Sequence, residues 1–337
     1  MPRPAETKSV HWLGEMLAAL EGAPMDYSTV LHSITVAVPA TTANLGPGFD
    51  CLGLTLDLWN EVTVSLEGEG VHISVEGEGV GRLPADETNP IAAGAFALLA
   101  EYQLKPRGIT IASRNAVPPE SGLGSSATAA IAGLVAANAL LGSPLRHREM
   151  MQRAVDQEGH PDNVAAALYG GLAVVARDEA GFIVRHYKLP RLLDVVVVLP
   201  EHHSATHEAR AQLPPSVSLQ DAVFNIGRTA LVIDALRRSD LELLSRVMDD
   251  RLHQTVRLAS IPGAEAALRA GRTAGAAAVA LSGAGPSLIG FAGGPGEAGA
   301  AGEAMVAAFA KAGVKARALT LKTTNRAARL KARHPLG

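Results

Sequence analysis

A glycine- and serine-rich turn that leads directly into an alanine-rich stretch is the feature that most limits how this chain can fold. The turn is PPESGLGSSATAA, residues 118–130, and the spacing of apolar residues predicts a helix from about Ser126 to Leu141. The first N–H groups of a helix have no partner within it, and the aligned peptide dipoles place partial positive charge there. The turn therefore predicts a binding site for an anion such as phosphate.

Individual residues of the turn suit this chemistry. Gly122 and Gly124 allow the backbone to turn sharply and to approach a ligand closely. Ser125 and Ser126 carry hydroxyls that can cap the helix or bind Mg²⁺. The alternative is an ordinary capped helix start, which is the commoner explanation of glycine-serine turns in general.

The turn does not match three familiar motifs. A Walker loop needs lysine before Ser or Thr, and this turn contains no lysine. GLGSSA has the spacing of a dinucleotide-binding loop, but that fold needs an acidic residue about 20 positions later, where this chain has Leu141, Gly142 and Ser143. No G-x-S-x-G sequence surrounds these serines, which weakens the hypothesis of a hydrolase.

Two further clusters of polar residues lie next to predicted strands and helices. PATTANLGPGFDCLGLTLDLWNE, residues 39–61, places Asn44 and Asp50 in a Gly/Pro-rich turn after a strand, where polar side chains lie outside the core. EGHPDNVAAALYGG places Glu158 and Asp162 before a helix, and two carboxylates beside a phosphate loop suit Mg²⁺ binding and orientation of a substrate hydroxyl. A plain loop and a capped helix start are the alternatives.

The glycine-rich sequence LSGAGPSLIGF, residues 281–291, predicts a strand, a turn and a strand whose backbone closes over a site. The histidines near Asp194 do not predict a zinc site. His202, His203 and His207 have the pattern His-His-x₃-His, which matches no standard zinc spacing, so we expect surface histidines.

Composition limits the class of protein. The 337 residues are long for one core and predict two domains, with a boundary near residues 190–200. A net charge of −3 argues against a nucleic-acid partner, and no apolar run approaches the roughly 20 residues that span a bilayer. The single cysteine, Cys51, excludes an internal disulfide. We expect a soluble, cytoplasmic protein without nucleic-acid or membrane partners.

The predicted elements alternate along the chain. Strands are expected from Ser33 and over Leu54–Leu66, a hairpin edge in EGEGVHISVEGEGVG, and a helix over residues 90–102 capped by Asn89. Helices and strands beyond Pro200 predict a second α+β domain. The basic sequence KTTNRAARLKARHPLG predicts a solvated end. Residues 1–33 predict either an appended arm or a misassigned start codon, in which case the protein would begin at Met25.

Four of these motifs, PATTANLGPGFDCLG, PPESGLGSSATAA, EGHPDNVAAALYGG and LSGAGPSLIGF, occur in the order found in GHMP small-molecule kinases. The chain resembles that superfamily over roughly residues 34–320 and, within it, the homoserine kinases. The resemblance implies a two-domain α+β fold: a ribosomal-protein-S5-like ATP-binding domain over 34–195 and a ferredoxin-like domain over 196–325. Outside them lie the extension 1–33 and a basic tail, 326–337.

The resemblance also implies roles for individual residues. Asn60 would lie near the adenosine of ATP, and Ser126 and Glu158 would hold Mg²⁺. The residues around the nucleotide would be Asn60, Pro119, Glu120, Ser121, Gly122, Leu123, Gly124, Ser125, Ser126 and Ala127. L-homoserine would be held by Asn44, Asp50, His160, Asp162, Arg210 and Arg257, with the two arginines on its carboxylate. The groups closest to the chemistry would be Asp162, Asn163, Glu158 and Thr206.

The family commonly has an aromatic residue before the second arginine, where this chain has Val256. Two arginines and two carboxylates complement an amino acid, which carries one carboxylate and one ammonium. Phosphoryl transfer depends mainly on alignment and charge neutralisation, so a strong general base is not required. The alternatives are another kinase of the superfamily, either mevalonate-type or acting on diphosphocytidyl-methylerythritol, and an inactive nucleotide-binding regulator. A homodimer is the expected assembly.

Overall fold

A computed structural model describes residues 33–202 and 210–334, and within them the strands form two sheets. The first sheet contains β1 (Ser33–Ala43), β2 (Leu52–Ser65), β3 (Gly70–Gly77), β4 (Gly108–Asn115), β5 (Leu172–Asp178), β6 (Gly181–Tyr187) and β11 (Arg329–His334). The order is β11-β1-β2-β4-β3, and β5 pairs with both β2 and β6. The long antiparallel pair of β1 and β2 therefore forms the centre of this sheet.

Four helices pack with the first sheet: α1 (Pro90–Glu101), α2 (Ser125–Leu140), α3 (His147–Glu158) and α4 (Pro161–Tyr169). Helix α1 begins where the sequence predicts, because the side chain of Asn89 accepts a hydrogen bond from the N–H of Ile91 at 3.0 Å. Helix α2 is apolar on almost every side and lies against α1, α3, α4 and β1. A helix of this composition is stable only when it is buried, so its position fixes the glycine-serine turn before it.

The second sheet contains β7 (Asp194–Pro200), β8 (Ala278–Leu281), β9 (Leu288–Ala292) and β10 (Ala316–Lys322), all antiparallel, in the order β10-β7-β9-β8. The helices of this half are α5 (Leu219–Arg238), α6 (Leu241–Val247), α7 (Gln254–Ala259), α8 (Ala264–Thr273) and α9 (Pro295–Lys311). One strand, helices, two strands, a helix and a last strand give the ferredoxin-like arrangement that the resemblance implied.

One hydrophobic cluster joins the two halves. Strand β7 is buried throughout, and its side chains alternate between two cores. Val196 and Val198 pack with α8 and α9, whereas Val195 and Val197 pack in the same cluster as Leu54 of β2. Because this shared core contains residues of both sheets, the junction between them is apolar and closely packed.

Two sequence expectations differ from the structure, and one helix was not expected. The predicted hairpin edge is indeed an edge strand, β3, but it pairs in parallel with β4 rather than as a hairpin with β2. The basic end is not wholly a solvated tail, because Arg329–His334 form β11 and pair with β1. The six-residue helix α7 was not predicted. The domain limits 34–195 and 196–325 stay a prediction, and they leave out the return of β11 to the first sheet.

No helix in the described part of the chain has the combination of length and hydropathy needed to cross a membrane.

Replacing glycine by alanine should change the free energy of unfolding in opposite directions at two helical positions, one closely packed and one open. A Cβ at Gly133 of α2 would overlap the backbone carbonyl of Ile91 in α1, whereas a Cβ at Gly227 of α5 would meet no atom within 4 Å. We expect Gly133→Ala to destabilise the protein by about 1–3 kcal/mol, as overpacking does. The matched control Gly227→Ala should stabilise it by about 0.5–1 kcal/mol. Urea denaturation checks both, and stabilisation by both variants would contradict the close packing.

Candidate active site

A cavity of about 220 Å³ lies where the N-terminal ends of α2 and α4 meet the β1–β2 turn and the β8–β9 turn. The two helices and the β1–β2 turn belong to the first half of the fold, and the β8–β9 turn belongs to the second. The residues from the sequence prediction that line the cavity are Asn44, Asp50, Glu120, Ser121, Gly122, Gly124, Ser125, Ser126, Glu158, His160, Asp162, Asn163 and Arg257.

The N-terminus of α2 presents uncapped backbone donors at this cavity. Its N-cap is Gly124, which has a left-handed backbone (φ 67°) and no side chain to accept a hydrogen bond from the first turn. The first three N–H groups of an α-helix lack partners within the helix, so those of Ser125, Ser126 and Ala127 are available for an anion. The predicted anion site is therefore compatible with the local geometry.

Contacts from both halves of the fold hold the loop before α2. The N–H of Thr41 in β1 donates to the carbonyl of Leu123 at 3.1 Å. The hydroxyl of Ser282, in the β8–β9 turn, donates to the carbonyl of Gly122 at 2.7 Å. A Cβ at Gly122 would overlap the Ser282 carbonyl, and a Cβ at Gly124 would overlap the Thr41 hydroxyl. Both positions therefore require glycine for packing as well as for their positive φ.

The β1–β2 turn holds Asp50 at the cavity. The side chain of Asn44 donates to the carbonyl of Gly283 at 2.8 Å, and its oxygen accepts from the N–H of Asp50 at 3.0 Å. Asn44 and Asp50 both have positive φ, 69° and 56°. Asn44 therefore connects the β1–β2 turn to the β8–β9 turn and fixes the backbone that carries the Asp50 carboxylate.

Acidic groups gather at the start of α4. The Glu158 carboxylate accepts from the backbone N–H of His160 at 2.8 Å and lies 3.6 Å from the imidazole Nδ1. Interaction with Glu158 raises the pKa of His160. Asp162 is 3% exposed, and burial, with smaller contributions from Asp50 and Glu158, raises its pKa to about 7. The Asp162 carboxyl therefore tends to keep its proton at a higher pH than an exposed carboxyl does.

Two arginines converge on one aromatic ring beside these carboxylates. Arg210 forms a two-pronged ion pair with the Asp50 carboxylate, with one N···O distance of 3.2 Å. Arg257 is 3% exposed and donates to the carbonyl of Gly283 at 3.4 Å. The guanidinium carbons of Arg210 and Arg257 lie 5.5 and 5.2 Å from the centre of the Phe49 ring. Phe49 thus contacts both cations through one ring.

A second cavity of about 170 Å³, mostly apolar, adjoins the first. Glu120, Ser125 and Ser126 line both cavities, which therefore adjoin at these residues. Asn60 and Pro119 line the second cavity, as do Val62 and Ile91. The side-chain oxygen of Asn60 accepts from the N–H groups of Ala116 and Val117, both at 2.9 Å. This arrangement provides a narrow apolar slot next to the N-terminus of α2.

The remaining predicted residues lie elsewhere. The side chains of Leu123 and Ala127 are buried in the two hydrophobic cores, so only their backbone can face a ligand. Thr206, His203 and His207 lie outside the described residues. Asp194 lies 3.5 Å from the ammonium of Lys322, away from the cavity. Sequence reasoning missed Phe49, although it lies inside a quoted motif, and it missed His253, which packs against Phe49.

Within residues 33–202 and 210–334, no group of three or more His, Cys, Asp or Glu side chains is arranged to hold a metal ion. A divalent cation at Glu158 would therefore need further oxygen ligands, such as a hydroxyl and phosphate oxygens. This is how Mg²⁺ is commonly held beside a nucleotide, with one or two carboxylates and the substrate phosphates.

Comparison with known proteins agrees with this geometry. The model of the GHMP kinases N terminal domain matches residues 90–171, and that of the GHMP kinases C terminal domain matches residues 232–311. A homoserine kinase of Moorella thermoacetica is 44% identical over 293 residues, which cover 87% of this chain and 98% of that protein.

Solved structures agree as well. A homoserine kinase from Cytophaga hutchinsonii has a TM-score of 0.80 and 31% identity, with 89% of this chain and 98% of that chain covered. An L. major mevalonate kinase has a TM-score of 0.65 but 17% identity, over 90% of this chain and 99% of that chain, and so shares the fold alone. The chain therefore belongs to the homoserine kinase family, and it has the two-domain α+β fold of the GHMP kinases.

Proposed function

We propose that this protein transfers the γ-phosphoryl group of ATP to the hydroxyl of L-homoserine, which forms O-phospho-L-homoserine for threonine biosynthesis. The observation that carries the proposal is the position of an uncapped helix N-terminus beside a pocket lined by Arg257 and four carboxylates, one of which, Asp50, is paired with Arg210. The first feature suits a phosphate chain and the second suits an amino acid. Identity of 44% to a homoserine kinase supports the choice of substrate.

ATP is proposed to occupy both cavities. The apolar slot lined by Asn60, Val62 and Ile91 suits the adenine ring. The phosphates then extend past Ser125 and Ser126, which line both cavities, to the N–H groups of α2. These backbone donors are fixed before the substrate arrives, so they stabilise charge on the transferred group without reorganising.

Magnesium is proposed to lie between Ser126 and Glu158. Both residues line the main cavity, and a carboxylate, a hydroxyl and phosphate oxygens are ligands that Mg²⁺ prefers. Bound there, Mg²⁺ would neutralise charge on the phosphate oxygens. The hydrogen bond from the backbone N–H of His160 holds the Glu158 carboxylate at the cavity that Ser126 also lines.

The ion pair between Arg210 and Asp50 explains how a zwitterion can enter. An amino acid can replace this pair with two new ones, its carboxylate on Arg210 and Arg257 and its ammonium on Asp50. No charge is then left unpaired in a partly buried site, so the exchange avoids a large desolvation cost. A substrate without an ammonium would break the pair and leave the Asp50 carboxylate without a cation.

The transfer itself is proposed to depend on alignment. Asp162 accepts from the backbone N–H of Asn163 at 2.7 Å, and the Asn163 side-chain oxygen accepts from the Thr41 hydroxyl at 2.8 Å. These contacts fix both side chains at the start of α4, where Asp162 orients the ammonium beside Asp50 and Asn163 lies near the substrate hydroxyl. A loose transition state requires an in-line approach and charge neutralisation more than proton abstraction.

The direct test is release of ADP from Mg²⁺-ATP in the presence of L-homoserine, mevalonate or shikimate. We expect turnover with L-homoserine alone, and formation of O-phospho-L-homoserine by ³¹P NMR. Turnover that does not depend on homoserine, or a preference for mevalonate, would contradict the proposal. Absence of any transfer would favour an inactive regulator. Location in the cytoplasm and assembly as a homodimer are further proposals, tested by fractionation and light scattering.

Removal of Arg210 should affect the amino acid selectively. We expect Arg210→Ala to raise KM for L-homoserine by about tenfold or more, because a charge-assisted pair to the carboxylate is lost. KM for ATP should change little, and the exposed control Arg238→Ala should behave like the wild type. Steady-state kinetics with each substrate varied measure this. An effect confined to KM for ATP would show that Arg210 acts on the nucleotide.

Neutralising Glu158 should weaken Mg²⁺-dependent turnover. We expect Glu158→Gln to lower kcat by about 100-fold or more, the effect of removing an electrostatic stabiliser, and to raise the Mg²⁺ concentration needed for half-maximal rate. The matched control is Glu265→Gln, because Glu265 is an exposed carboxylate that pairs with Arg269. An unchanged kcat and Mg²⁺ dependence would contradict the proposed metal ligand.

The buried Asp162 carboxylate should support activity but lower the stability of the folded protein at high pH. Its folded-state pKa of about 7 lies above the unfolded value near 3.9, so the folded form keeps a proton that the unfolded form has lost. The penalty is absent below about pH 4, grows as pH rises, and is complete above about pH 7. Asp162→Asn should therefore stabilise the protein at pH 8 by roughly 2–4 kcal/mol while it lowers activity.

Urea denaturation of this variant and of the exposed control Asp156→Asn, at pH 4 and pH 8, measures the effect. The gain in stability should nearly disappear at pH 4. An equal gain at both pH values would contradict a buried carboxyl with a raised pKa.

A further inference from the structure

His253 is a buried histidine that the proposed mechanism does not use. Only 1% of it is exposed, and it is the N-cap residue of α7, one helical turn before Arg257. Its ring stacks on Phe49, with 5.0 Å between ring centres and 27° between the planes. Since Phe49 also lies beneath both arginines, His253 belongs to the structure that supports the carboxylate end of the pocket.

The contacts of the two ring nitrogens fix their protonation. Nε2 lies 2.9 Å from the backbone carbonyl of Gly46, which can only accept, so Nε2 carries a hydrogen. Nδ1 lies 3.4 Å from Nη1 of Arg257, which can only donate, so Nδ1 carries none. His253 is therefore the neutral Nε2–H tautomer. Burial, which lowers its pKa, favours the same neutral form despite the nearby Asp250 and Asp50 carboxylates.

A buried carboxylate holds the backbone around His253. Asp250 accepts from the N–H groups of His253 and Gln254, at 2.9 and 2.7 Å, and from the side chain of Asn225 in α5 at 2.6 Å. The same Asn225 nitrogen also lies 3.2 Å from the carbonyl of Pro47 in the β1–β2 turn. His253 is thus rigidly placed, and its imidazole connects the β1–β2 turn on one side to Arg257 on the other.

We propose that His253 is a positioning residue for substrate binding: its Nε2–H is tied to Gly46, and its Nδ1 lone pair orients the Arg257 guanidinium toward the substrate carboxylate. The inference rests on the proposed function, which assigns that carboxylate to Arg257. A neutral acceptor suits this position, because Arg210 already brings a second cation to the same Phe49 ring. A cation at position 253 would repel Arg257, and an apolar side chain would remove the acceptor that, with the carbonyl of Gly283, holds its Nη1.

Two substitutions separate the contacts of the two nitrogens. Gln can place an N–H near the Nε2 position and keep the bond to Gly46, but it offers no acceptor at Nδ1. Asn can place an oxygen near the Nδ1 position and keep an acceptor for Arg257, but it cannot reach Gly46. We expect His253→Gln to raise KM and the calorimetric Kd for L-homoserine about tenfold, and His253→Asn to raise them clearly less.

Three measurements distinguish positioning from a general loss of structure. KM for ATP should stay near the wild-type value in both variants, and the rise in KM for homoserine should not follow their melting temperatures. In an Arg257→Ala background, His253→Gln should cause no further rise in KM for homoserine, because its effect passes through Arg257. The exposed edge-strand control His72→Gln should behave like the wild type.

Equal losses in the Gln and Asn variants, a parallel rise in KM for ATP, or full additivity with Arg257→Ala would overturn the inference. Wild-type protein that does not phosphorylate or bind L-homoserine would instead show that the proposed function is wrong, so the two failures are distinguishable. If one variant fails to fold, the other variant and the Arg257→Ala cycle still decide between the outcomes.

Discussion

The contact between the glycine-rich loop before α2 and the two elements behind it is the constraint on which the rest of the site depends. Gly122 packs on the carbonyl of Ser282, and Gly124 packs on the hydroxyl of Thr41, with no room for a side chain at either position. One partner belongs to the second half of the fold and the other to β1. The loop therefore holds the helix N-terminus at the junction of the two halves, next to the pocket that carries the ionisable side chains.

Electrostatic compensation explains how so many charges share one small cavity. Asp50 is paired with Arg210, Glu158 accepts a backbone hydrogen bond and interacts with His160, and the raised pKa of Asp162 leaves it partly neutral. Each arrangement avoids a bare buried charge, whose desolvation cost would be large. A ligand with both charges can exchange with the internal pair, and a chain of phosphates meets the uncapped N-terminus of α2. The site is thus suited to a nucleotide and a zwitterion together.

Much of this arrangement could be predicted from sequence, because local patterns carry it. The capped start of α1 at Asn89, the glycine-serine turn before α2 and the acidic residues around the start of α4 depend on neighbouring residues. Contacts between distant segments could not be predicted in this way. The parallel pairing of β3 with β4 and the return of β11 to β1 are decided by the whole sheet. His253 gave no signal either, because its role depends on Gly46, Phe49 and Arg257 meeting in space.

The most direct test of the account is a crystal structure of the protein with a non-hydrolysable ATP analogue, Mg²⁺ and L-homoserine. The account predicts the terminal phosphate at the N–H groups of α2, and the homoserine carboxylate on Arg210 and Arg257 in place of the Arg210–Asp50 ion pair. An analogue whose phosphates lie away from residues 121–127, or a homoserine bound outside the Asp50 pocket, would contradict it.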